Sequence, residues 1–205
     1  MNKLITMNKR TKIIVATIFA IILIAIGGFL FWNKNNNKLI QGKASDYRIA
    51  DGKVSNSKAG FSYNIPQGWS AETIDYAEGS VILYASGTKI EKNDIGAPKL
   101  PLENGCLIEV AAAYQYESLD KIKDDAKFYR GLTGAIVNNF ETTTINGFSA
   151  LKHTFEYKDE GKATAFYLFK KHKTYSFAVY PPNNEEESSK CLEDFGNFLE
   201  TVSIK

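Results

Sequence analysis

The chain has 205 residues, with 25 Lys and Arg against 23 Asp and Glu, and a net charge of +2. Lys3, Lys9, Arg10 and Lys12 stand before Trp32 with no acidic residue among them, so the rest of the chain carries about −2. A remainder with no positive excess lacks the electrostatic footprint of a nucleic-acid binder.

The run 13–32 is apolar and uncharged throughout. At about 1.5 Å per residue it reaches roughly 30 Å, the thickness of a bilayer's hydrocarbon core. All four early cations lie before it, which predicts a cytoplasmic tail over 1–12 and a transmembrane helix over 13–32. Everything after Trp32 is then outside the cell membrane. A secretory signal would have a shorter apolar region, about 7–15 residues, ending in small residues. Here the run ends Gly27-Gly28-Phe29-Leu30-Phe31-Trp32, and an interfacial Trp suits a retained single-pass anchor.

Residues 33–58 are polar, with Asn35-Asn36-Asn37 and little periodicity, and read as a linker. From 59 to 205 the pattern is that of one folded domain. Phe61-Ser62-Tyr63-Asn64-Ile65 alternates as a strand, Pro66-Gln67-Gly68 turns the chain, and Trp69 is a large aromatic to bury. Residues 80–85 and 106–113 are the next strands. Between them, 86–105 is a long polar loop with Pro98 and Pro101, a length that is usually functional or mobile. Its Glu91, Asp94 and Glu103 lie among Ile90, Ile95, Leu100 and Leu102. That mixture suits contact with a partner or ligand, and equally a solvated insertion.

A helix over 118–130 is capped by Ser118, buries Leu119, Ile122, Ala126 and Tyr129, and stops at Gly131. Strands 140–145 and 148–157 flank Asn146-Gly147, a strong hairpin signal. Strands 163–169 and 174–180 follow, apolar on both faces and therefore central to a sheet covered on both sides. Asn184 caps a last helix with Glu185, Glu186 and Glu187 in its first turn and a stripe of Leu192, Phe195, Phe198, Leu199 and Val202. The sum is α+β: an antiparallel β-sheet flanked by helices.

Cys106 and Cys191 are the two cysteines, both on the exported side. An oxidising compartment allows them to pair, and two separate buried thiols are the alternative.

The segment Gly60-Phe61-Ser62-Tyr63-Asn64-Ile65-Pro66-Gln67-Gly68-Trp69 resembles the opening G-F-x-[FY]-x-x-P-x-x-W of PsbP-like domains. The mid-domain helix, the Gly147-Phe148-Ser149-Ala150 strand start, the aromatic strands ending at Tyr180-Pro181 and the terminal Phe198–Ile204 segment agree in outline. The resemblance implies a Mog1/PsbP-like α/β/α sandwich over 59–205, preceded by one transmembrane helix. In photosynthetic membranes such proteins are extrinsic accessories of photosystem II, and the Mog1 branch binds a small GTPase. Other members look like extracytoplasmic binding or assembly modules. No functional residue carries over by motif.

Catalytic signatures are weak. His153 shares a strand face with Leu151, Phe155 and Tyr157 and reads as a core-edge histidine, while His172 is in a Lys-rich turn. Two isolated histidines make no zinc site. Ser149 lacks the second glycine of a nucleophile elbow. Gly131-Leu132-Thr133-Gly134 is a helix stop, and Asp159-Glu160-Gly161 a turn rather than a calcium loop. No cofactor is expected. These readings favour a non-catalytic, membrane-anchored accessory protein that engages a protein partner at the outer membrane face or a small ligand. An envelope hydrolase using paired carboxylates, and a sensor or scaffold subunit of a membrane complex, are the alternatives.

Overall fold

The computed structural model describes residues 43–74, 79–94, 96–113, 118–132, 137–157, 161–171 and 173–205. The tail 1–12, the run 13–32 and residues 33–42 lie outside the described residues, as do Ile95, His172 and the turn 159–160. Among the described residues no helix is long and apolar enough to cross a membrane.

A single 3-10 turn, Ala44–Asp46, leads into β1 (Tyr47–Ala50), β2 (Lys53–Asn56), β3 (Phe61–Asn64), β4 (Trp69–Ile74), β5 (Ser80–Ala85) and β6 (Leu107–Ala113). Helix α1 (Leu119–Leu132) is followed by β7 (Val137–Ile145), β8 (Phe148–Tyr157), β9 (Gly161–Lys170) and β10 (Lys173–Tyr180). Helix α2 (Glu185–Glu200) and the short β11 (Ser203–Ile204) close the chain. The strands form two antiparallel sheets, a four-stranded one ordered β1-β2-β3-β11 and a seven-stranded one ordered β4-β5-β6-β10-β9-β8-β7.

The first correction to the sequence reading is here. Residues 47–56, expected as linker, form a hairpin with Ala50 opposite Lys53. Its two-residue turn is Asp51-Gly52, at φ 53° and 69°, the doubly left-handed turn that such loops favour. Strand β2 buries only Val54 and Asn56, too short an alternation to register as a strand. The Asn56 carboxamide is satisfied by the Ala59 N–H at 2.8 Å. The second correction is the sheet count, since β3 belongs to the small sheet and not to the large one.

The inner face of the large sheet packs against the small sheet and α2. Val81, Leu83, Ile108, Val110, Leu168, Tyr175 and Phe177 meet Val54, Phe61 and Tyr63 from the small sheet and Phe195 and Phe198 from α2. Tyr63 and Phe198 meet edge to face at 5.2 Å, a favoured aromatic geometry. The central position expected for β9 and β10 agrees with the strand order. On the outer face, α1 lies against β7, β8 and β9. There His153 is fully buried and stacks on Phe140 at 4.2 Å, deeper than the core-edge place expected.

Both helices differ in detail from expectation. Ser118 Oγ accepts the Lys121 N–H as a cap, but α1 runs past Gly131 to Leu132. Ile122 is buried as expected, and the side chains of Ala126 and Tyr129 lie outside the described ones. In α2 the buried residues are Cys191, Phe195, Phe198 and Leu199, while Leu192 is 45% exposed. Positions 191, 195 and 198 make a stripe at helical spacing, and Leu192 sits about 100° around from Cys191. Cys191 is fixed inward by its disulfide to Cys106, with the Cα atoms 5.3 Å apart.

Candidate functional site

At one end of the domain a cleft of about 800 Å³ opens between the β3–β4 turn, the neck of the long loop and α2. Its first wall follows from Pro66-Gln67-Gly68-Trp69. The Trp69 N–H donates to Pro66 O at 3.1 Å, and Gly68, at φ 78°, takes the left-handed position that this turn requires. The turn throws Trp69 onto the start of β4, where its ring packs against the core yet remains half-buried. Trp69 was expected in the core; it is instead a wall of the cleft.

The second wall is the neck of the long loop. Ala85 N donates to Cys106 O at 3.1 Å and Ser86 N to Gly68 O at 3.1 Å, which binds the neck to the first wall. Cys106 N donates to Thr88 Oγ1 at 3.2 Å, and Gly105 lies so close that a Cβ there would collide with the Thr88 side chain. Asn104 bridges the neck, donating to Gly87 O at 3.3 Å and accepting from Lys89 N at 3.3 Å.

The third wall is α2. Asn184 Oδ1 caps it by accepting from Glu186 N at 3.0 Å and Glu187 N at 3.1 Å. Its first-turn acids suit the positive end of the helix, and Glu187 does more. Its Oε2 accepts the Gly105 N–H at 2.9 Å, tying helix to loop neck. The disulfide ties the same two segments one turn further along. Lys190, Asp194 and Asn197 follow along the cleft side of the helix, with Phe198 behind them. The other helix end is held by Asn146, whose Nδ2 donates to Leu199 O and Val202 O, both at 2.9 Å. The hairpin residue therefore also serves as a C-cap, which hairpin statistics do not reveal.

The long loop is a folded cover. Lys92 and Pro98 form a bridge, Lys99 N donates to Glu91 O at 2.8 Å, and Asn93 N donates to Ala97 O at 2.9 Å. Leu102 is buried against Ile74, Ile82 and Leu107 on the outer sheet face, with Ile90 and Leu100 beside it. Glu91 pairs with Lys89 at 3.5 Å and Lys99 at 3.7 Å, and Glu103 pairs with Lys89 at 3.2 Å. The bond to Glu103 is the main reason the Lys89 ammonium is held above its ordinary pKa. Asp94 is exposed near the tip. The structure brings none of Glu91, Asp94 and Glu103 into the cleft, whose lining contains Cys106 and Cys191.

Among the described residues no group of three His, Cys, Asp or Glu is placed to hold a metal ion. Two carboxylates, Glu187 and Asp194, line the cleft. They stand seven residues apart on one helix, and Glu187 is already engaged by the Gly105 N–H. Sequence reading missed Gln67, Asn197 and Lys190 because each is an ordinary exposed polar residue until the fold assembles the walls.

No family model matches the chain, and no curated protein matches it. Among solved structures the chain is similar to the solution structure of cyanobacterial PsbP (CyanoP) from Synechocystis sp. PCC 6803. The likeness covers 77% of this chain and 95% of that one, at 12% identity and a TM-score of 0.49. It carries no residue of the cleft across.

Proposed function

We propose that this protein is a single-pass, membrane-anchored accessory protein whose PsbP-like domain faces outside and binds a partner or small ligand without catalysing a reaction. The observation that carries this reading is the cleft, where a half-buried Trp69 faces polar side chains of α2. Ligand sites are concave, with an apolar wall and a few convergent polar groups. The Cys106–Cys191 disulfide supports an oxidising compartment, as does the expected anchor over 13–32. The PsbP-like assignment rests on the Gly60-to-Trp69 motif and on the antiparallel sheets with two helices.

The test uses the full chain in its own membranes, with a photo-crosslinking residue at Gln67 or, as a control, at the exposed Ile49 of β1. The expected result is a discrete mass shift from Gln67 that Ile49 does not give. Equal labelling from both positions, or none from either, overturns the binding reading.

A further inference from the structure

The class of ligand follows from which hydrogen-bonding groups of the cleft are already spent. Five of its main-chain donors are used inside the domain: Trp69 N on Pro66 O, Ala85 N on Cys106 O, Ser86 N on Gly68 O, Gly105 N on Glu187 and Cys106 N on Thr88. Asn104 and Glu187 are spent on the same framework. The side chains of Asn64, Gln67 and Asn197 line the cleft and, among the described residues, form no hydrogen bond to the protein. Lys190 and Asp194, one helical turn apart, likewise form no ion pair among the described residues.

Each free carboxamide offers two donors and two acceptor lone pairs. Three of them beside an indole call for a ligand with closely spaced groups that both donate and accept, little formal charge, and a flat apolar face. A peptide bound through its main chain pairs with a row of alternating backbone donors and acceptors, and along the loop-neck wall the N–H groups of Ala85, Ser86, Gly105 and Cys106 are already taken. A polyanion would meet Glu187 and Asp194 against Lys190 alone. A sugar ring satisfies each requirement: its hydroxyls donate and accept, and its axial C–H face stacks on an aromatic ring.

Resting on the binding reading above, we infer that the cleft is a glycan-binding site. A pyranose ring lies on Trp69, and its hydroxyls bond to Asn64, Gln67 and Asn197. Lys190 and Asp194 hold further hydroxyls from the α2 wall through charge-assisted bonds. The ligand is a neutral oligosaccharide, free or part of an envelope polymer.

The experiment uses the full chain purified in a detergent without a sugar headgroup, carrying Trp32→Phe so that Trp69 is the sole tryptophan. It is screened on an array of neutral gluco-, manno-, galacto- and N-acetylglucosamine oligomers, with heparin and an unrelated peptide array alongside. Binding to a neutral oligomer is expected, with a change in Trp69 emission on titration. Trp69→Ala, or Asn197→Ala on the exposed side of the site, should weaken that binding about tenfold or more. Asn197→Ala keeps the test informative if Trp69→Ala impairs folding, since Asn197 is exposed. No bound neutral oligomer, or binding that neither variant alters, overturns the glycan assignment. If the peptide array alone is bound, and Asn197→Ala weakens it, the glycan assignment falls while the binding reading stands. Absence of any cleft-dependent ligand here, joined with no specific crosslink from Gln67, removes both.

Discussion

The 86–105 loop and the cleft beside it are both built from mixed polar and apolar side chains, but their polar groups behave in opposite ways. In the loop, Glu91 and Glu103 are paired with Lys89 and Lys99, and Leu102 anchors the segment in a packed apolar cluster. In the cleft, the side chains of Asn64, Gln67, Asn197, Lys190 and Asp194 form, among the described residues, no hydrogen bond or ion pair within the protein. A surface that satisfies its own polar groups is a cover. One that leaves them to solvent around a concave apolar wall can exchange that water for a ligand.

The strongest way to break this contrast is to cut the tie between loop neck and helix. Removing the disulfide with Cys106→Ala and Cys191→Ala frees a segment of 85 residues, and the loss is expected to be about 2–5 kcal/mol by denaturant unfolding. A double variant as stable as the parent would show that the tie contributes nothing to the α2 wall. Next comes the loop's apolar anchor. Leu102→Ala should cost about 2–4 kcal/mol, because Leu102 is 4% exposed in a packed cluster. By contrast, Glu91→Gln and Glu103→Gln should leave the unfolding midpoint almost unchanged, since exposed ion pairs contribute little. A large loss from either Gln variant, with none from Leu102→Ala, would reverse the account of the loop.

A smaller effect is expected at the far end of α2. Asn146→Ala removes a hydrogen bond to the helix carbonyl of Leu199, another to Val202 O just past the helix, and a side chain suited to left-handed backbone. About 1–2 kcal/mol should be lost, and Asn146→Gly should recover part of it by restoring the backbone freedom alone. Equal losses for both would place the whole effect in the helix cap.

The smallest effect is electrostatic. The Asp46 carboxylate sits below its ordinary pKa of 3.8, held down chiefly by the Lys43 N–H at 3.0 Å and then by Lys58 at 3.2 Å, against some opposing desolvation. A depressed folded pKa gives stability that is fully present above the unfolded value and fades as pH falls through the folded one. The small difference in melting temperature between the parent and Asp46→Asn should therefore be constant near neutrality and shrink below about pH 3.8. A difference that grows on acidification would contradict that sign.

Local chemistry made much of this fold legible in advance. The Asn146-Gly147 turn, the Asn184 and Ser118 caps and the two-sided apolarity of β9 and β10 are signals of backbone geometry and burial that a short window contains. The β1–β2 hairpin left a turn signal in Asp51-Gly52, but a four-residue strand with one buried aliphatic is too short for periodicity to confirm it. The helix stripe was misplaced at Leu192 because Cys191 points inward through a bond to a residue 85 positions away. Glu91, Asp94 and Glu103 drew notice as charges among apolar residues, and nothing local reveals that two of them find partners inside the loop. The cleft residues come from three separated segments, 64–69, 85–106 and 187–201, so only the tertiary structure makes them neighbours.

The most direct test of the central claim is the response of the side-chain amide resonances in the 15N-labelled full chain. Neutral oligosaccharides should shift the NH2 signals of Asn64, Gln67 and Asn197, while that of Asn104, already donated to Gly87 O, stays in place. Shifts confined to loop residues such as Asn93, with the three cleft amides unmoved, would contradict the account.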